Sequence, residues 1–179
     1  MRNILGVQKM YEIHAKEQYF FDEDTLHHLT EFLKGWSAPC CICAPLLGRT
    51  AAEHGIPVTV LDIDERFSDV AGFQRFDLYR PHWLEQEFDL ILCDPPFFNV
   101  SLSQLFSALR LLAHHNLAQP LMVSYLSRRS GAITGTFAPF NLQPTGYKPG
   151  YQTIKKTPKN EIEFFSNLKP DQLDRLNTA

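Results

Sequence analysis

A short stretch in the middle of the chain combines residue types that suit chemistry better than packing. The apolar run 88–93 is typical of a buried strand, and Asp94-Pro95-Pro96-Phe97 follows it directly. A buried strand does not require a carboxylate and two prolines at its end. The Asp94 carboxylate and the Pro95 carbonyl are hydrogen-bond acceptors, the prolines fix the backbone direction, and Phe97 offers a flat apolar face. These residues therefore indicate a role beyond packing.

Other acids also lie at or just beyond the ends of predicted strands. In an α/β sheet, ligands bind in the crevice at the carboxyl ends of the strands, so these side chains are expected at one mouth. A carboxylate there can accept both hydroxyls of a ribose, and another can accept an exocyclic amine. The order of the acids predicts a nucleoside-binding mouth, in which we expect Asp94 to be partly hydrated. The acids are Asp62 and Asp64 after VTVL, Asp77 after FQRF and Asp94 after LILC.

The elements that must position these acids alternate between helix and strand. Apolar residues recur at helical spacing in 25–36, with Asp22 or Asp24 available as N-cap, whereas other apolar runs are short and typical of strands. Strands buried on both faces that alternate with helices predict a mostly parallel, Rossmann-like α/β sheet. The predicted helices cover 25–36, 48–55 and 101–115, the predicted strands cover 39–45, 56–64, 88–94 and 120–126, and 141–152 with 160–167 predict a closing antiparallel hairpin.

Length and composition fit one soluble domain. The 179 residues are 44% hydrophobic and 21% charged, which allows a sizeable core. We assign 1–36 to an N-terminal cover segment and helix, 37–168 to the α/β core and 169–179 to a tail. The chain has no apolar run of about 18 residues, and MRNILGVQKMYEIHAKE lacks the apolar segment of a signal peptide. We therefore expect a cytoplasmic protein without a membrane partner.

The cysteines raise the question of a metal site. Cys40-x-x-Cys43 allows a zinc interpretation in which His27, His28 or His54 completes the ligands. However, the chain has no second C-x-x-C pair, and consecutive histidines on a helix diverge by about 100°. Buried, reduced thiols are the favoured interpretation, so we expect no metal.

Positive charge is concentrated downstream of Asp94. Residues 120–170 carry 7 Lys/Arg and 2 Asp/Glu, a balance of +5, whereas 1–119 carry 9 and 16, a balance of −7. The last nine residues carry 1 and 2, which gives the total of −3. The basic segment could face an anionic partner or form a solvated loop and hairpin. Its candidate contacts are Arg128, Arg129, Lys148, Lys155, Lys156 and Lys159.

The motifs together resemble a known family. With DPPF, the chain resembles the class I S-adenosylmethionine-dependent methyltransferases whose Asp-Pro-Pro-aromatic motif serves methylation of amino groups. More narrowly, QYFFDEDT, CICAP, LDIDERF, FDLY and FDLILCDPPF, between Gln18 and Phe97, resemble the probable N6-adenine methyltransferases. Eukaryotic relatives in that family methylate a lysine of a translation elongation factor. The resemblance implies S-adenosylmethionine as cofactor and an amino nitrogen as methyl acceptor.

The resemblance also implies roles for individual residues. Asp94, Pro95, Pro96 and Phe97 would orient the acceptor amine, because accepted hydrogen bonds localise the nitrogen lone pair. Asp62 would hold the cofactor ribose, with Asp64 as the rival on the opposite face of an extended segment. The other expected cofactor contacts are Asp77, Gln18, Ala44 and Pro45, and Phe20 and Phe98 are expected substrate contacts. QYFF could cover the cofactor or target pocket or form an aromatic core cluster. From the charge distribution, the expected substrate contacts also include Arg128, Arg129, Lys155 and Lys156.

One loop departs from the pattern usual in this class. CAPLLG follows the first predicted strand where a glycine-rich loop is common, so weak cofactor binding is one expectation. Three hypotheses follow from the sequence. The first is N6-adenine methylation of nucleic acid, the second is N-methylation of a protein lysine, and the third is a catalytically idle relative that binds a nucleoside or a partner.

Overall fold

The computed structural model describes residues 10–179. The first nine residues, with which the predicted cover segment begins, lie outside this range. The strands are β1 (Pro39–Ile42), β2 (Thr59–Asp62), β3 (Phe73–Arg75), β4 (Leu90–Cys93), β5 (Leu121–Leu126), β6 (Gln143–Pro144) and β7 (Ile162–Ser166). The helices are α1 (Glu23–Leu33), α2 (Pro45–Glu53), α3 (Leu102–Leu112), α4 (Ser130–Thr136) and α5 (Pro170–Thr178).

One sheet contains all these strands, in the order β3-β2-β1-β4-β5-β7-β6. β1 to β5 pair in parallel, and β7 runs antiparallel to both β5 and β6. The prediction of a mostly parallel α/β sheet with an antiparallel C-terminal pair is therefore confirmed. The pair is shorter on one side than predicted, because only Gln143 and Pro144 of 141–152 belong to a strand.

The two faces of the sheet bury separate cores. Successive side chains of a strand point to opposite faces, so Cys41 joins one core while its neighbours Cys40 and Ile42 join the other. The first core contains buried residues of α1, α2 and α5, and the second contains those of α3 and α4. This sandwich explains why β1 and β4, at the centre of the sheet, are apolar throughout.

Local signals fix several helix ends. Asp22, and not Asp24, caps α1, because its side chain accepts a hydrogen bond of 2.9 Å from the Thr25 backbone N–H. Ser101 begins α3 in a capping box with Gln104. The segment 169–179, assigned to a tail, contains α5, whose Leu176 is fully buried. None of the helices within 10–179 has the length and apolar composition that crossing a bilayer requires.

Candidate active site

The loops that follow β1 to β4 converge on a cavity of about 300 Å³. Parallel strands bring their carboxyl ends to one edge of the sheet, and the segment 13–21 covers that edge. The convergence agrees with the sequence prediction of a single mouth. The predicted site residues that line this cavity are Gln18, Phe20, Ala44, Pro45, Asp62, Asp64, Asp77, Asp94, Pro95, Pro96 and Phe97.

Asp94 lies at the floor of the cavity and is 9% exposed. The side chain is therefore more buried than the prediction of a partly hydrated carboxylate suggested, although it still lines the cavity. Its Oδ1 accepts a hydrogen bond of 2.7 Å from the Tyr151 hydroxyl and a second one from the Ser124 hydroxyl. Burial raises the pKa of Asp94 to about 7, and these two hydrogen bonds limit the rise.

The other carboxylate oxygen of Asp94 is differently placed. Within residues 10–179, no donor forms a hydrogen bond to Oδ2. The ring of Phe97 meets Tyr125 edge-on, with centroids 5.6 Å apart, so the aromatic end of the motif is held by packing. Among the described residues, the motif thus combines an acceptor oxygen without a donor and an aromatic ring held by packing, both lining one cavity.

Asp62 and Asp64 have different surroundings. Asp62 is buried, with 7% of its surface exposed, and its Oδ1 accepts a hydrogen bond of 2.8 Å from the Asp64 backbone N–H. Burial raises the pKa of Asp62 to about 6, helped by the nearby charge of Asp64 and opposed by the backbone donor. Asp64 instead accepts hydrogen bonds from Arg66 and, at 2.8 Å, from Gln18. Although burial acts against it, these partners hold the pKa of Asp64 below its ordinary value.

The turn after β1 forms without a glycine-rich loop. Cys43 adopts φ of 57°, a conformation that glycine usually supplies, and its backbone N–H donates to the Leu61 carbonyl at 3.0 Å. Pro45 is the first residue of α2, where a missing N–H leaves no hydrogen bond unmade. Gly48 serves packing, since a Cβ there would lie 2.5 Å from the Val60 side chain. The loop therefore lines the site with a backbone conformation in which Cys43 takes the positive φ that glycine supplies in a glycine-rich loop.

The cover segment is fastened on several sides. The Glu12 carboxylate accepts hydrogen bonds from the Phe20 backbone N–H at 2.7 Å and from the Thr153 hydroxyl at 2.5 Å. Glu17 accepts one of 2.9 Å from the backbone N–H of Phe98. Phe21 forms an isolated antiparallel bridge with Tyr151. The cover is consequently attached to the Asp94 loop and to the loop before β7.

A second cavity, of about 200 Å³, adjoins the first one. Both cavities are lined by Glu17, Tyr19 and Phe97. Phe98, which is 69% exposed, and Arg128 line the second cavity, together with Lys159.

The other basic residues predicted to contact substrate lie elsewhere. The structure does not place Arg129, Lys155 or Lys156 on either cavity. The Arg129 guanidinium lies 5.5 Å from the ring centroid of Tyr125, whereas Lys155 and Lys156 are exposed.

Sequence reasoning missed Ser124, Tyr151 and Glu12. Ser124 offered a signal, because a hydroxyl in the apolar run LMVSYL needs a partner once that run is buried. Tyr151 and Glu12 offered none, since their contacts join parts of the chain 57 and 141 residues apart.

The cysteines are free thiols, three of them buried. Within 10–179, no group of three or more His, Cys, Asp or Glu side chains is arranged to hold a metal ion.

The fold is that of known methyltransferases. The N-methyltransferase NodS from Bradyrhizobium japonicum WM9 superposes with a TM-score of 0.52 at 16% identity, over 82% of this chain and 96% of NodS. Magnesium protoporphyrin IX methyltransferase from Synechocystis PCC 6803 with bound SAM superposes with a TM-score of 0.54 at 14% identity, over 92% of this chain and 87% of that enzyme. A TehB-like SAM-dependent methyltransferase from Corynebacterium glutamicum ATCC 13032 superposes with a TM-score of 0.53 at 13% identity, over 79% of this chain and 88% of that protein. The fold class is thus the Rossmann-like methyltransferases.

The family is narrower than the fold. The family described as "Probable N6-adenine methyltransferase" matches residues 12–170, and the chain belongs to it. This confirms the resemblance drawn from the motifs between Gln18 and Phe97. No curated protein matches the chain.

Proposed function

We propose that the protein is an S-adenosylmethionine-dependent methyltransferase whose acceptor is the 6-amino group of adenine in nucleic acid. The observation that carries the proposal is the buried Asp94 carboxylate, whose Oδ2 has no donor within residues 10–179 and which lines the same cavity as Phe97. A conjugated amine is a poor nucleophile because its lone pair is shared with the ring. Hydrogen bonds from the amine to Asp94 Oδ2 and to the Pro95 carbonyl favour a lone pair localised on nitrogen.

The residues of the larger cavity fit S-adenosylmethionine, which supplies an electrophilic methyl group on a sulfonium. Asp62 is the favoured partner of the ribose hydroxyls, because the Asp64 carboxylate is already occupied by Arg66 and Gln18. Asp77, at the same mouth, is the candidate for the adenine amine of the cofactor. Ala44 and Pro45 provide an apolar wall at the start of α2.

Asp94 also offers a place for the proton that the reaction releases. When the amine nitrogen forms its bond to the methyl carbon, the bond from that carbon to sulfur breaks and its electron pair remains on sulfur. The nitrogen then carries a positive charge and must lose one of its protons. The Asp94 carboxylate, with a pKa of about 7, can accept that proton and pass it to water.

The adjoining cavity supports nucleic acid as the acceptor. Its aromatic residues Tyr19 and Phe98 suit stacking with an unpaired base, and Arg128 and Lys159 suit a phosphate. A protein lysine is the second candidate, favoured by the carboxylates of Glu17 and Asp94, which would attract an ammonium group. A lysine would enter past Glu17, because that residue lines both cavities.

The test begins with binding of S-adenosylmethionine, measured by calorimetry and thermal shift. A dissociation constant in the micromolar range and a raised melting temperature are expected. Absence of any response in both measurements would favour an idle relative.

Transfer of a labelled methyl group is then measured on a single-stranded RNA that contains adenine. The control is the same strand with each adenine replaced by purine, which lacks the 6-amino group. Label only on the adenine strand is expected. Label in a cell extract that resists nuclease and disappears with protease would instead identify a protein acceptor.

The basic residues give an independent measure of phosphate contact. Binding to RNA should weaken with salt, with a log-log slope of about −0.7 for each phosphate contacted. The double variant Arg128→Ala with Lys159→Ala should make the slope shallower by the amount that corresponds to about one or two lost phosphate contacts. Lys155→Ala with Lys156→Ala removes the same charge away from both cavities and serves as the matched comparison. An equal loss of slope in both pairs would place the phosphates outside the second cavity.

A further inference from the structure

We propose that Tyr151 and Ser124 are positioning residues, which hold the Asp94 carboxylate in the orientation that turns Oδ2 to the acceptor amine. The inference rests on the proposed methyl transfer to an amine, and it assigns a task to two side chains outside the Asp94 motif. It accounts for two buried hydroxyls that converge on one carboxylate oxygen.

The geometry defines which oxygen is free. Tyr151 and Ser124 both donate to Oδ1, and neither donates to Oδ2. A carboxylate attached through one rotatable bond can exchange its two oxygens by rotation, and either oxygen alone would satisfy a single donor. Two donors that converge on one oxygen from different elements favour one rotational state. That state leaves Oδ2 as the acceptor at the cavity.

Both donors are themselves held firmly. Ser124 is fully buried in the middle of β5, where it lies opposite Phe164 of β7. Tyr151 is 8% exposed and pairs with Phe21, and the next residue, Gln152, donates its backbone N–H to the Phe20 carbonyl at 2.9 Å. Because both backbones are held by strand or bridge pairing, each hydroxyl can move only by rotation within its own side chain.

The two hydroxyls also favour the ionised form that the reaction requires. Burial and the neighbouring Asp94 raise the pKa of Tyr151 well above its ordinary value, so the phenol remains a donor at neutral pH. Hydrogen bonds donated to a carboxylate stabilise its charged form and oppose the effect of burial. Without them, a larger fraction of Asp94 would be protonated and unable to accept the amine hydrogen at neutral pH.

The decisive variants remove one hydroxyl each. Tyr151→Phe and Ser124→Ala keep the surrounding packing close to its present form, so each tests the role without the other. Tyr147→Phe is the matched control, because it deletes a phenol from the same loop while its ring stacks on His28 with centroids 4.4 Å apart. The ionisation of Asp94 is followed by carbon-13 NMR of the carboxyl, with the signal assigned by its loss in Asp94→Asn.

The titration measures the apparent pKa of Asp94. A purely structural role of the two hydroxyls would not predict a rise of this pKa in both variants. We expect the apparent pKa of Asp94 to rise by roughly one unit in Tyr151→Phe and in Ser124→Ala, and to stay unchanged in Tyr147→Phe. If the protein is active, kcat should fall about tenfold or more, the acidic limb of its pH profile should move to higher pH, and KM for S-adenosylmethionine should stay within about threefold.

The outcomes separate this inference from the proposed function. A wild-type protein that transfers no methyl to any acceptor refutes the proposed function, and the titration alone then decides whether the two hydroxyls act on Asp94. An unchanged titration in both variants overturns the inference. An active wild type whose Tyr151→Phe and Ser124→Ala variants retain kcat and pH profile overturns it as well.

Discussion

The burial of Asp94 predicts that Asp94→Asn stabilises the ligand-free protein at neutral and alkaline pH. The native state binds the carboxyl proton more tightly than the unfolded state, because the pKa is about 7 in the fold and 3.8 without it. Unfolding therefore releases a proton between these values, and the stability contributed by this carboxyl decreases as the pH rises through that range. The full difference corresponds to about 4 kcal/mol in the free energy of unfolding. The amide side chain of the variant would keep a carbonyl oxygen to accept the bonds from Tyr151 and Ser124.

The assay is urea unfolding of both proteins at a series of pH values. Between about pH 5 and about pH 8, the advantage of Asp94→Asn in unfolding free energy should increase by about 3 kcal/mol and then level off. Asp174→Asn, a change at an exposed acid of α5, controls for the removal of one charge and should give a flat difference. A flat difference for Asp94→Asn too would show that its carboxyl is hydrated, and the argument from burial would fail.

Two further changes test the cofactor end of the cavity. Asp62→Ala should weaken binding of S-adenosylmethionine by about tenfold or more in calorimetry, and normal affinity would transfer the ribose role to Asp64. In the wild type, the same affinity should rise as the pH increases through about 6, because ribose hydroxyls favour the ionised Asp62 carboxylate. Glu12→Gln should loosen the cover segment, which would appear as faster amide exchange in 13–21 and a several-fold weaker cofactor affinity. Unaltered exchange would mean that the Glu12 contacts do not hold the cover.

Much of the fold could be predicted because its signals are local. The apolar runs before Asp62 and Asp94 are short, and each is followed by a polar residue that ends the strand. Parallel pairing then brings those strand ends together. The acids could therefore be predicted to lie at one mouth without knowledge of the strand order. The capping residue Asp22 was likewise among the predicted candidates, since capping depends on neighbours three residues away.

The rest of the site depends on contacts that the sequence does not encode locally. Tyr151 reaches Asp94 only because the loop before β7 pairs with Phe21, and neither segment carries a periodic pattern. The extent of Asp94 burial could not be predicted for the same reason, since burial at a strand end depends on what covers that end. The basic residues were also divided by tertiary structure, which placed Arg128 on the second cavity and Lys155 away from it.

Asp62 and Asp94 share a physical situation that links stability to function. Each is a buried carboxyl at the end of a strand beside β1, and each has its pKa raised by burial. Apolar or amide side chains at these positions would fold more readily at neutral pH, because they carry no charge to desolvate. What a carboxylate provides is an acceptor that is already oriented and dehydrated when a ligand brings hydroxyl or amino hydrogens. The instability of the empty site and the strength of its hydrogen bonds to ligands thus have the same origin, the burial of these two carboxyl groups at the ends of their strands.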